Sequence, residues 1–209
     1  MREIIYFLAL SFFSLLFLGC PKKEPELATS NLPKYKFAVA EAVISKSAVC
    51  PVCLRAVFTC ETKSGAASEF YEALAFALKE NDFEMNRLSL SGIEAEKKKE
   101  PERWLTLAKA LKADYLILPV IYCWSERKGT EISASAPAEV GFHLHIYQVE
   151  SGKEVWGGDF NERQIALSEN LLALNDFIKR GGKWVKAEDL GKEGAEKLIK
   201  QFLKSIQEK

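Results

Sequence analysis

Between Asp114 and Trp124 the sequence reads DYLILPVIYCW, and after Asp114 both alternating sets of side chains are apolar. A strand sends successive side chains to opposite faces, so this one must be covered on both sides. It belongs inside a sheet with further layers packed against each face, not in a one-sided meander. Pro119 has no N–H for the ladder, so a bulge is expected near it.

The elements around it follow from period and punctuation. Phe37 to Ser45, FAVAEAVIS, reads as one buried strand, followed by an irregular segment from Lys46 to about Ser64. Gly65 to Glu80 has Phe70, Leu74, Ala77 and Leu78 on one helical stripe, and Asn81-Asp82 stops it. Phe83 to Leu88 is a short strand. Glu100 to Lys112 is a helix with Pro101 in its first turn and Trp104, Leu107, Ala108 and Leu111 inward. Glu139 to Glu150 alternates: Val140, Phe142, Leu144 and Ile146 face one way, His143, His145 and Tyr147 the other. Ser151-Gly152-Lys153 turns the chain into a return strand, Glu154 to Gln164, with a bulge expected at Gly157-Gly158. A helix from Ser168, ended by Gly181-Gly182, and a last helix from Glu188 to Ile206 complete the chain. The expected fold is α/β. It has a mixed sheet of about five strands with flanking helices, in two or three layers, and two C-terminal helices.

The amino terminus is an address. Met1-Arg2 precedes an apolar run from Ile4 to Leu18, closed by Gly19-Cys20. This is the pattern of a lipoprotein signal peptide over residues 1–19, with Cys20 acylated as the new terminus. The run is too short for a spanning helix of ~20 apolar residues, and Pro21-Lys22-Lys23-Glu24-Pro25 does not continue one. Residues 20–35 read as a flexible tether and residues 36–209 as a single domain. Asp does not follow Cys20, which directs the protein to the outer membrane, facing the periplasm. The lipid bilayer is then one partner, through acylated Cys20. Across the 209 residues, 29 basic and 29 acidic side chains balance, so no overall field attracts nucleic acid. Lys97-Lys98-Lys99 stands among Glu94, Glu96, Glu100 and Glu102 and reads as a solvated face.

Two stretches, LAKALKADYLILPVI at 107–121 and HLHIYQVESGKEVWGGDF at 143–160, carry a resemblance. They resemble periplasmic lipoproteins of the curli-secretion-channel and penicillin-binding-protein-activator type, and the amino-terminal domain of the Tol β-propeller protein. The matching residues are Ala113, Asp114 and Tyr115, then Glu150, Gly152, Val155 and Trp156. The resemblance implies an α/β envelope domain that contacts another envelope component. It does not extend to a membrane channel, because 45–65 and 125–138 are too short and irregular for barrel strands. A narrower likeness is to bacterial lipoproteins with Cys-Pro-x-Cys after the first strand and an Asn-Leu-Leu helix. Here these are Cys50-Pro51-Val52-Cys53 and Asn170-Leu171-Leu172, and no activity follows from them.

Chemistry-bearing residues are few. Cys50, Cys53, Cys60 and Cys123 form an even set in an exported chain, which favours structural disulfides. A Cys50–Cys53 bond would close a tight ring, and a Cys60–Cys123 bond would tie the loop to the central strand. The same four thiols suit a tetrahedral zinc site, and Cys-x-x-Cys suits thiol redox chemistry, although Val52 to Phe58 forms no convincing helix behind it. His143 and His145 share one strand face, either as metal ligands with Cys50 or Cys53 or as a polar outer face, the reading preferred here. Trp124 and Trp184 lie near element ends, where they either pack or contact a partner. No nucleotide-binding, zinc-protease or nucleophile motif is present. The expectation is a non-catalytic, membrane-tethered lipoprotein that binds or scaffolds an envelope protein or cell-wall component. No cofactor is required, zinc being the one metal the thiols suit. The alternative is a metal-binding or thiol-redox protein built on Cys50, Cys53, Cys60 and Cys123.

Overall fold

The computed structural model describes residues 33–89, 100–164 and 181–208. The signal segment, most of the tether, the Lys97–Lys99 run and the helix expected from Ser168 lie outside them. The described elements run β1 (Lys36–Val39), β2 (Val43–Ile44), α1 (Ala66–Lys79), β3 (Glu84–Arg87), α2 (Pro101–Ala110), β4 (Tyr115–Ser125), β5 (Lys128–Gly129), β6 (Ala134–Ala136), β7 (Glu139–Gln148), β8 (Glu154–Arg163) and α3 (Ala187–Gln207). None of these helices is long and apolar enough to cross a membrane.

The sheet is mixed, with order β3-β1-β4-β7-β8 and β2 continuing beside β4. β1 runs parallel to β3 and β4, while β7 is antiparallel to β4 and β8. β4 is central and buried from Leu116 to Trp124, as its two apolar faces require. On one face α1 and α3 pack with Phe37, Phe70, Phe142 and Phe202 as an aromatic core. Gly191 and Gly194 let α3 come close, since a Cβ there would strike the rings of Trp124 and Phe160. On the other face α2 sets Trp104, Leu105 and Ala108 against Ala38, Leu116, Leu118 and Tyr147. Two helical layers therefore enclose the sheet at this level, three layers in all.

Local expectations are corrected at several points. The first strand is broken after Val39, because Tyr71 of α1 inserts its hydroxyl: it donates to Ala40 O and accepts from Ala42 N–H, both at 2.6 Å. Pro119 stays in register opposite Leu144, and the irregularity in β4 falls between Ile121 and Cys123. In β8 the extra residue is Val155, between the Trp156–Ile146 and Glu154–Tyr147 pairs, while Gly157 and Gly158 remain paired. The segment 125–138, expected to be irregular, holds the small β5–β6 hairpin.

Candidate metal centre

On the α2 side of the sheet, beyond that helix, the loop after β2 folds down over β7. Cys50 N–H donates to Arg55 O (2.8 Å), Leu54 N–H to Cys50 O (3.0 Å), and Val57 N–H to Ala48 O (2.9 Å). Leu54 turns the chain with a φ of 60°, a left-handed conformation that is uncommon for a branched side chain. Cys50 packs with Val43 and Val120, joined by Val52 and Val57. Further on, Cys60 is disulfide-bonded to Cys123 of β4, the pairing read from the sequence as the tie between loop and central strand. The expected Cys50–Cys53 bond is absent: both are free thiols, Cys50 fully buried and Cys53 half-buried. With Cys60 and Cys123 joined, the four-thiolate zinc site is also excluded.

His143 and His145 are not on an outer face. They are 6% and 2% exposed, because the 48–57 loop covers them. The Cys50 sulfur lies 3.4 Å from His145 Nε2, and the Cys53 sulfur 3.7 Å from His143 Nδ1. The four donor atoms of Cys50, Cys53, His143 and His145 lie within 4.8 Å of one another. A tetrahedral zinc ion with Zn–S ~2.3 Å and Zn–N ~2.0–2.1 Å has an S···N edge of about 3.6 Å. The two short sulfur–nitrogen distances bracket that edge, and the other donor pairs, up to 4.8 Å apart, would close by about 1 Å around an ion.

The surroundings suit ligation. His145 Nδ1 lies 2.9 Å from Glu154 Oε1, and because a carboxylate accepts, Nδ1 carries a proton there, which makes Nε2, on the thiol side, the nitrogen that would bind an ion. Burial pushes the Cys50 thiol above its ordinary pKa, while the backbone N–H groups of Cys53 and Val52 point at its sulfur and favour the thiolate. Burial, and then the neighbouring His145, lower the pKa of His143, which keeps its imidazole neutral and available as a ligand. Asp159 stands opposite His143 and Gly157 opposite His145 in the β7–β8 register. Together with Cys53, Arg55, Glu154 and Gly158 these residues line a cavity of about 120 Å³.

The tryptophans separate. Trp124 is fully buried, its indole N–H donating to Glu69 at 2.8 Å, so it cannot serve as a partner contact. Trp184 is half-buried beside the β5–β6 hairpin, where its N–H donates to Glu131 O and its carbonyl accepts from Arg127. Glu154, which fixes the His145 ring, was not singled out by sequence reasoning. Its place directly after the turn, on the strand paired with that of His145, is the signal that could have found it.

No family model matches the chain, and no curated protein matches it. Solved structures do. PelC from Paraburkholderia phytofirmans, a dodecamer, is 14% identical over 79% of this chain and 84% of that one, with a TM-score of 0.49. Lipoprotein GNA1162 from Neisseria meningitidis is 12% identical over 69% and 96%, with a TM-score of 0.42. The C-terminal domain of LpoB from Escherichia coli is 12% identical over 62% and 82%, with a TM-score of 0.39. The lipoprotein GNA1162 and the LpoB domain are thus among the solved structures to which this chain is similar, each at 12% identity.

Proposed function

We propose that the chain is an exported lipoprotein, anchored through acyl chains on Cys20 in the outer membrane facing the periplasm. Its folded domain, residues 36–209, binds a transition-metal ion without catalysing a reaction. The convergence of Cys50, Cys53, His143 and His145, from a loop and a strand 90 residues apart or more, carries this reading. Two thiolates and two imidazoles are a borderline-soft tetrahedral set, which suits Zn²⁺. Two thiolate charges cancel the dication, so a nearly buried site is left close to neutral.

Elemental analysis and thiol counting on mature protein from a native-like envelope test the reading. The expected result is one zinc per chain, one disulfide, and two thiols that alkylate only after chelation. Cys50→Ser and His145→Ala each lower zinc occupancy while the Cys60–Cys123 bond persists. Protein with two disulfides and no metal affinity overturns the reading. For the anchor, labelled palmitate should enter the protein and be lost in Cys20→Ser, which becomes soluble; a Cys20→Ser protein that stays in the membrane fraction refutes it.

A second reading keeps the scaffold role, with an envelope protein as partner. Exposed Ile44 at the end of β2 and exposed Val49, Leu54 and Phe58 along the loop after it favour it. A photo-crosslinker at position 58 should give a discrete adduct in intact cells, and no adduct counts against it.

A further inference from the structure

The metal reading leaves open whether the ion holds the fold together or is cargo that the fold holds. We infer that the centre is a loading and unloading site: the domain keeps its fold without the ion, and the ion exchanges through the cavity beside Cys53 by attack of an incoming chelating ligand. This rests on the metal-binding reading above.

Three observations carry it. First, the ligands are placed by structure that owes nothing to an ion. His143 and His145 sit in the middle of β7, paired to Val120 and Leu118 of β4 on one side and to Asp159 and Gly157 of β8 on the other. The loop keeps its shape through the Cys50–Arg55, Leu54–Cys50 and Val57–Ala48 hydrogen bonds and the Val49–Ala56 bridge. Val43, Val120, Val52 and Val57 pack it down, and the Cys60–Cys123 bond pins its far end to β4. A structural zinc site in a small domain is the reverse case, where binding free energy supplies folding free energy because little else orders the ligands.

Second, the site is closed on one side and open on the other. Cys50 is fully buried and His145 2% exposed, whereas Cys53 is half-buried and faces the cavity of about 120 Å³. That volume admits several waters or the donor group of a chelator, since one water needs only ~10–15 Å³ of this kind of space. An incoming ligand can therefore reach the ion before an outgoing one has left.

Third, the cavity is bordered by a glycine and by charged groups. Gly157 lies opposite His145, on the same face of β8 as Asp159. A Cβ there would come to 2.9 Å from Glu154 Oε1 and 4.0 Å from His145 Nδ1, so the glycine leaves room for the carboxylate that meets His145 beside the cavity. Arg55 and Asp159, both exposed, line the same cavity as one positive and one negative group, able to meet the carboxylates and amines of a small chelating donor.

Zinc-loaded mature protein mixed with 4-(2-pyridylazo)resorcinol, followed by absorbance and in parallel by far-ultraviolet circular dichroism, tests this. The expected release rate rises in proportion to chelator, about tenfold for tenfold more, and the apoprotein keeps its secondary structure and one cooperative melt. Release at a rate independent of chelator and equal to the unfolding rate overturns the inference, as does an apoprotein without a cooperative melt. A protein that never takes up zinc refutes the metal-binding reading itself, a separate outcome.

Discussion

Replacing Glu154 by Ala tests the centre at a residue that donates nothing to the ion directly. Glu154 Oε1 accepts from His145 Nδ1 at 2.9 Å, which sets the tautomer and holds the ring plane. Without it, His145 can carry its proton on Nε2, the atom needed for ligation, and the ring is free to tilt. Loss of such a partner lowers metal affinity about 10–100-fold, or about 1.4–2.8 kcal/mol. The Glu154 side chain is 37% exposed and reaches across only one strand pair, so the melting temperature of metal-free protein should scarcely change. Zinc affinity is measured by competition with a chromophoric chelator, and stability by thermal melting without metal. Glu154→Gln keeps an amide oxygen to accept from Nδ1–H and should fall between wild type and Glu154→Ala. Equal affinity for wild type and Glu154→Ala, within twofold, would refute the assignment of Nε2 as the ligating atom. A large loss of metal-free stability would show instead that Glu154 holds the fold.

Three further outcomes follow from the fold. Cys60→Ser with Cys123→Ser opens a crosslink spanning 63 residues, whose chain-entropy contribution is about 4 kcal/mol at most, so denaturant unfolding should show a loss of about 2–4 kcal/mol. Gly194→Ala places a Cβ 2.5 Å from the Phe160 ring and should cost about 1–3 kcal/mol by the same measurement, whereas alanine would stabilise an unhindered helix position. Glu126 is partly desolvated, which raises its pKa, but hydrogen bonds from Lys63, Arg127 N–H and Ala187 N–H outweigh this and hold it below the usual value. Its contribution is present above the unfolded carboxylate pKa and is lost as pH falls through the lower folded one. It amounts to less than about 1 kcal/mol at this exposure, so Glu126→Gln should flatten the acid side of the stability profile slightly.

The layered sheet was legible because its signals are local. An apolar run on both faces marks β4, strict alternation marks β7, and Pro101 opens α2. The break in the first strand was not legible, since its cause is the hydroxyl of Tyr71, about 30 residues away. Alternation placed His143 and His145 on one face but could not say what covers that face; the cover arrives from 90 and 95 residues earlier. For the same reason Trp124 looked like an element end, while Glu69, Phe70 and the gap at Gly191 close around it. Spacing alone left the cysteines with several pairings, and proximity in space divides them into one bond and two thiols.

That division sets a problem of timing during biogenesis. A chain exported from its amino terminus delivers Cys50, Cys53 and Cys60 together, 63 residues before Cys123 follows. Oxidised as it emerges, it would join neighbours first, and every such bond uses a thiol needed elsewhere. Native pairing then requires either that Cys60 wait for β4 or that a disulfide isomerase undo the early bonds. A metal ion captured by Cys50 and Cys53 would shield both sulfurs and leave Cys60 the only early thiol free to react. Yield of correctly bonded protein should therefore depend on zinc supply during export, not only on the oxidant.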